Sequence, residues 1–136
     1  MSRPNQTSEY MLLFRGTDWH KKLSPEDLEH AMDKVMAWFE SLKEQGKVKA
    51  GQPLGAEGRT VSGKNGRTVA DGPFAESKEA VGGYLLLQVD NLDEATTIAK
   101  SNPMLEYGIA IEVRPVLEEC PAFQHAKGQL LSKAAA

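Results

Sequence analysis

Runs of apolar residues mark three strands along the chain. Tyr10 to Arg15 is a short apolar run that predicts a central strand, and Tyr84 to Val89 predicts a second one after Gly82 and Gly83. Ile109 to Val116 alternates, with Ile109, Ile111 and Val113 on one side and Ala110, Glu112 and Arg114 on the other. All three segments are therefore predicted to share a sheet.

The first helix is predicted from its start signal and from a stripe of apolar residues. Ser24 can cap the free N–H groups, Pro25 suits the first helical position, and Gly46 ends the segment. We interpret the stripe as core rather than as a cofactor-binding face, because a helix lying over a sheet needs one. The stripe consists of Leu28, Ala31, Met32, Val35, Trp38, Phe39 and Leu42.

A second helix is predicted from Asn91 to Asn102. Asn91 is its cap, Glu94 is placed to reach back to that cap, and Pro103 prevents continuation. Its apolar face is small. After Pro115 the pattern is less regular, and we predict a short helix from Gln124 to Lys133.

The middle of the chain is rich in turn signals. Ala50 to Arg59 is glycine-rich and is predicted to be loop. The β-forming residues at 59–61 and 67–69 flank Asn65-Gly66, which predicts a hairpin because both turn residues accept positive φ. Asp71-Gly72-Pro73-Phe74 then interrupts the pattern.

This order of elements predicts an α+β fold of the ferredoxin-like, split βαβ type, with two helices on one face of an antiparallel sheet. The other face is left bare. It should carry Tyr84, Leu86 and Gln88 together with Glu112 and Arg114. A second copy of the chain is the simplest cover, so we expect a homodimer.

Composition narrows the classes of function. The chain has 136 residues, which suits one domain, and a net charge of -3 without a basic tract, which disfavours nucleic-acid binding. We expect no membrane span, no signal peptide in the polar start of the chain, and therefore a cytoplasmic protein. The single cysteine, Cys120, and the three histidines show no metal-ligand spacing, so neither a metal nor a redox cofactor is expected. We divide the chain into a flexible N-terminus (1–8), the domain (9–118) and a C-terminal extension (119–136).

Two blocks of sequence resemble a known family. The stretch from Asp71-Gly72-Pro73-Phe74 to Glu79, followed by Gly82-Gly83-Tyr84 and later by Ile111 to Val116, is similar to the DGPF subgroup of the YCII-related family. The likeness runs from about Tyr10 to Val116. It implies a ferredoxin-like protomer that pairs into a dimeric α/β barrel, in which two sheets face each other around a cavity.

The resemblance implies two kinds of function. Some relatives look like cofactor-free enzymes that act on small aromatic-derived or lactone substrates, including a dehydrochlorinase. Genes of DGPF proteins often lie near those of extracytoplasmic-function sigma factors, which implies a regulatory role. Some relatives have a proposed catalytic histidine–aspartate pair on or near the first helix. This chain has Val35 and Met36 where that histidine is expected, so the pair is not reproduced.

Acidic and basic residues near the predicted strand ends are the first candidates for a site. Asp71 follows a strand and precedes a Gly-Pro bend, so it is a general acid/base, a turn-forming aspartate, or both. Glu112 and Arg114 share a strand face and could bind an anionic substrate or pair with each other. Glu76 follows the bend and could join the same pocket.

His20 and two aromatic residues complete the candidates. His20 lies in the loop after the first strand, where it is either a general base or solvated, and Trp19 and Tyr84 are placed to line a cavity. Two hypotheses follow: a non-catalytic, regulatory small-molecule binder associated with sigma-factor signalling, or a cofactor-free lyase or isomerase acting on a small organic acid or lactone through Asp71.

Overall fold

The computed structural model describes residues 8–72 and 80–135, with side chains described as far as Gln129. These residues form six strands and three α-helices. In chain order they are β1 (Ser8–Arg15), α1 (Pro25–Glu44), β2 (Val48–Pro53), β3 (Arg59–Ser62), β4 (Thr68–Asp71), β5 (Val81–Val89), α2 (Leu92–Lys100), β6 (Ala110–Pro115) and α3 (Pro121–Ala135). Short 3₁₀ turns occupy Trp19–Lys22, Lys64–Gly66 and Pro103–Tyr107.

Four strands form one antiparallel sheet in the order β2-β5-β1-β6. The connections through α1 and α2 each skip one strand, which is the split βαβ topology that the sequence predicts. The α+β class with an antiparallel sheet is therefore confirmed, and the topology is consistent with a ferredoxin-like fold.

The core lies between this sheet and the two helices. Leu12 pairs with Leu85 on one side and with Val113 on the other, so these side chains share the helix face of the sheet. Leu87 continues that face, and its side chain is fully buried. Burying a leucine contributes roughly 1.5–3 kcal/mol. The cluster that α1, α2 and the sheet form together is Leu12, Leu42, Leu85, Leu87, Val89, Ala95, Ile98 and Ala99.

The glycine-rich segment after α1 is an edge strand, so the prediction of loop there was wrong. Strand β2 pairs with β5 from Val48 to Pro53. This pairing favours glycine at position 51, because a Cβ on Gly51 would lie too close to the neighbouring strand, 2.8 Å from Leu85 Cδ1 and 3.0 Å from the Tyr84 carbonyl oxygen. Pro53 ends the strand at a sheet edge, where a missing N–H is tolerated.

The predicted hairpin is confirmed as a separate two-stranded sheet. Val61 pairs with Val69, and the turn contains Asn65 and Gly66 at φ 61° and 67°. Both valines are exposed. The hairpin therefore adds no strand to the main sheet.

The predicted helix caps are present, with one difference. The Ser24 hydroxyl oxygen accepts the N–H of Asp27 at 3.1 Å, and Asn91 Oδ1 accepts the N–H of Glu94 at 2.8 Å. The Glu94 carboxylate reaches the N–H of Asp90, one residue before the expected cap, at 2.9 Å. It also lies 2.9 Å from Lys47 Nζ.

The C-terminal extension contains α3, which is longer than the predicted helix. Its described side chains are exposed, including Phe123. Within residues 8–72 and 80–135, no helix is long and apolar enough to cross a membrane.

The interactions of Glu94 predict how stability depends on pH. The hydrogen bond from the Asp90 N–H, and then that from Lys47, hold the pKa of Glu94 below the ordinary glutamate value of 4.5. A lowered folded-state pKa stabilises the fold at pH values above 4.5, and this contribution is lost as the pH falls through the folded-state value. Glu94→Gln should lower the free energy of unfolding at pH 7, because it removes the charge that both hydrogen bonds favour. The loss should be only about 0.5–1 kcal/mol, because the side chain is partly solvated.

Urea unfolding of the wild type and of Glu94→Gln at pH 7 and pH 3 measures this difference. It should shrink toward zero at pH 3. A difference of equal size at both pH values would assign the effect to packing rather than to charge.

Candidate functional site

A cavity of about 570 Å³ lies on the helix face of the sheet, between α1 and the end of the sheet where β5 begins. Binding sites for small organic molecules commonly fall in the range of roughly 300–1,000 Å³. Its lining is mostly apolar. The aromatic members are Phe14, Trp19, Trp38, Phe39 and Tyr84, and the polar members are Thr17, His20, Gln52 and Asn102.

Glycines in two neighbouring strands form the floor of the cavity. Gly83 pairs with Phe14, and Gly51 pairs with Leu85, so both glycines lie on the helix face. A Cβ on Gly83 would lie 3.2 Å from the Gln52 carbonyl oxygen and 3.7 Å from Phe14 Cδ2. At these two positions the sheet presents bare main chain beside the Phe14 and Leu85 side chains, which leaves open space under α1.

Helix α1 forms the roof. Val35, Trp38 and Phe39 line the cavity from the middle of the helix. The Trp38 ring is held in place because its Nε1–H donates to the Ser101 hydroxyl oxygen at 2.8 Å. The apolar stripe of α1, predicted as core, is thus divided. Its fully buried members are Ala31 and Leu42.

Two 3₁₀ turns meet at the rim. Trp19 stacks on Tyr107 with ring centroids 5.7 Å apart, and His20 contacts Trp19 edge-on at 6.0 Å. Trp19 and His20 both line the cavity, and His20 is exposed. Within the described part of the chain, no hydrogen bond holds the His20 ring.

Asn102 is the buried polar residue of the cavity wall. It is 4 % exposed, and its Oδ1 accepts the N–H of Met104 at 2.7 Å. Its Nδ2 is shielded from solvent and has no hydrogen-bond partner among the described residues. Leaving such a donor unpaired costs about 1–3 kcal/mol. Sequence reasoning used Asn102 only as a helix end, and burial was the missing signal.

The predicted site residues do not gather in one place. Asp71 ends the hairpin, with its side chain 88 % exposed and 3.9 Å from Arg59. Glu112 forms ion pairs with Arg15 and with Arg114 on the open face of the sheet, the face opposite the helices. None of these residues lines the cavity. Glu76 lies outside the described residues.

The side chain of Tyr84 lies on the open face of the sheet, although the residue also lines the cavity on the helix face. It pairs with Leu13 and Gln52, so its side chain alternates to the open face with Leu86. It also lines the cavity. We infer that its share of the cavity wall is mainly main chain, next to the side-chain-free Gly83.

A match to a family model shows the family of the chain. The model of the YCII-related domain matches residues 9–119, which is most of the sequence. The chain belongs to the YCII-related family. No curated protein matches its sequence.

One solved structure similar to this YCII-related protein is an enzyme. It is the 5-chloro-2-hydroxyhydroquinone dehydrochlorinase of Burkholderia phenoliruptrix AC1100, in complex with 2,5-dihydroxybenzoquinone. The identity is 18%, the TM-score is 0.42, and the match covers 81% of this chain and 95% of that chain. A likeness this low carries neither the activity nor the ligand to the present chain.

The described lining of the cavity contains few titratable residues. They are His20 and Tyr84, the latter with its side chain alternating to the open face, and no lysine, arginine or carboxylate lines the cavity in the described part of the chain. Nor does that part contain three His, Cys, Asp or Glu side chains grouped as a metal site. An apolar cleft with aromatic walls favours a flat organic molecule.

Because the apolar stripe of α1 is divided between core and cavity, shortening its side chains should lower the free energy of unfolding by different amounts. Leu42→Ala should lower the free energy of unfolding by about 2–5 kcal/mol, because it removes buried atoms from a packed core. Val35→Ala should cost less than about 1 kcal/mol, because its side chain borders an existing cavity. Urea unfolding of the wild type and of both variants measures the two losses. Equal losses would mean that Val35 packs as core.

Proposed function

We propose that this protein binds a small, mainly apolar organic molecule in the cavity under α1, as a non-catalytic binding or regulatory protein. The observation that carries this proposal is the cavity itself, whose walls are aromatic and aliphatic and whose floor includes the bare main chain of Gly51 and Gly83. A ring-shaped ligand would contact Phe14, Trp38 and Phe39. Burial of apolar surface then supplies most of the affinity.

The chemistry of the lining supports binding over catalysis. A general base must be oriented by a partner and must lie near a reacting atom. His20 is exposed, and the described residues provide no carboxylate that orients it. The regulatory role in sigma-factor signalling, which the family resemblance implies, has no support from any residue of the cavity.

The alternative is a cofactor-free lyase or isomerase that acts on a small organic acid or lactone. It is favoured by the position of His20 at the cavity rim, where the imidazole could take up a proton. Asp71, the acid/base expected from the sequence, lies on the hairpin and does not line this cavity.

A screen of neutral one- and two-ring fragments tests the binding proposal. We expect at least one fragment to raise the Tm in a concentration-dependent manner, because a ligand that binds only the folded state stabilises it by mass action. Val35→Trp should abolish the shift by filling the cavity from its roof.

Met32→Trp is the matched control. Met32 lies on the same helix, is 40% exposed and does not line the cavity, so this variant should respond as the wild type does. Fragments that bind Val35→Trp as tightly as the wild type would place their site elsewhere and contradict the proposal.

We further propose a homodimer that forms through the open face of the sheet, as a dimeric α/β barrel. Met11, Leu13 and Leu86 project from the two central strands on this face. Charged pairs lie toward its edges: Lys49 with Glu9, and Glu112 with both Arg15 and Arg114. An apolar centre inside a charged rim is the usual anatomy of a protein interface.

The dimer predicts a change of mass on substitution at the centre of this face. The wild type should sediment as a dimer at micromolar concentration, with an interface above about 1,000 Å² in total. Leu86→Asp should give a folded monomer, because it places an unpaired charge in the interface. The control Leu92→Asp, at an exposed position that begins α2, should remain a dimer. A monomeric wild type would refute the proposal.

A further inference from the structure

The side-chain amide of Asn102 forms a hydrogen bond through its oxygen but, among the described residues, none through its nitrogen. A backbone N–H can only donate, so the hydrogen bond from Met104 fixes Oδ1 as the atom on that side. Nδ2, with two N–H donors, is therefore the atom without a partner among the described residues.

The hydroxyl of Ser101, the residue before Asn102, both accepts and donates a hydrogen bond. The Trp38 Nε1–H donates to Ser101 Oγ, and that hydroxyl donates to the Ile98 carbonyl oxygen at 2.7 Å. Buried polar groups in proteins rarely lack partners, and an exception calls for an explanation. Asn102 lines the cavity, so a molecule bound there can serve as that partner.

The surroundings of Asn102 restrict what that molecule can present. The cavity walls include Phe14, Met104 and Ile109, and no lysine or arginine lines the cavity in the described part of the chain. A carboxylate or phosphate would lose its hydration without gaining a counter-charge. A neutral carbonyl oxygen loses far less and accepts the amide N–H equally well.

We propose that Asn102 is the residue that selects the ligand, by donating from Nδ2 to a neutral carbonyl-type oxygen on a ring-shaped molecule. This inference rests on the proposed function of the cavity and specifies its ligand class. Because Nδ2 is shielded from solvent, this hydrogen bond requires the surrounding wall to shift when the ligand binds.

Three probes of matched shape test the inference: acetophenone, cumene and benzoate. They present a neutral carbonyl, no acceptor and an anion, respectively. Their dissociation constants are measured by NMR titration of the wild type, Asn102→Ser and Asn91→Ser. Serine retains an oxygen that can cap the following turn but lacks the amide. Asn91 caps α2 through its Oδ1, is exposed and does not line the cavity, so it is the matched control.

Asn102→Ser should weaken the binding of acetophenone about tenfold relative to the binding of cumene, equivalent to about 1.4 kcal/mol. Asn91→Ser should change neither affinity, and benzoate should bind the wild type more weakly than acetophenone. An unchanged acetophenone-to-cumene ratio in Asn102→Ser would overturn the role of Asn102, whereas benzoate binding as tightly as acetophenone would overturn the preference for a neutral group. If neither acetophenone nor cumene binds the wild type, the proposed function fails and the inference fails with it.

A measurement on the wild type alone covers the case in which Asn102→Ser does not fold. In ¹⁵N-labelled protein, the side-chain amide signals of Asn102 should move strongly with acetophenone and little with cumene. Equal movement with both probes would overturn the inference.

Discussion

Helix α1 can pack closely on the sheet only where the strands carry side chains on the helix face. Leu85 and Leu87 provide them in the middle of β5, and there the helix contributes Leu42 to a continuous core. At Gly83 and Gly51 the strands carry none, and the space between helix and sheet stays open. The same two layers therefore make a core at one end and a cavity at the other.

The cavity is stable because its walls are fixed from outside. Trp38 is tied to Ser101 at the end of α2, and Trp19 is stacked on Tyr107 in the following turn. These contacts do not depend on a ligand. The walls are thus preorganised, and preorganisation reduces the entropy that a ligand would lose by ordering them.

Charge and apolar surface are distributed between the two faces of the sheet. The helix face holds the core and the cavity, and none of the ion pairs formed by Glu9 and Glu112 lies there. The open face carries those pairs around Leu13 and Leu86. This separation gives the two faces different proposed partners: a small molecule on one and a second copy on the other.

The sequence alone determined the class of fold, the main helices and the facing of the strands, because periods of 3.6 and 2 are local properties of the chain. It also determined the hairpin, since Asn65-Gly66 accepts positive φ. It could not show that β2 is a strand, because the edge position that tolerates Gly51 and Pro53 exists only beside β5. Nor could it separate Leu42 in the core from Val35 at the cavity, or show that Asn102 is buried with a free donor. Those properties are set by what another element places opposite each side chain, and only the tertiary structure decides that.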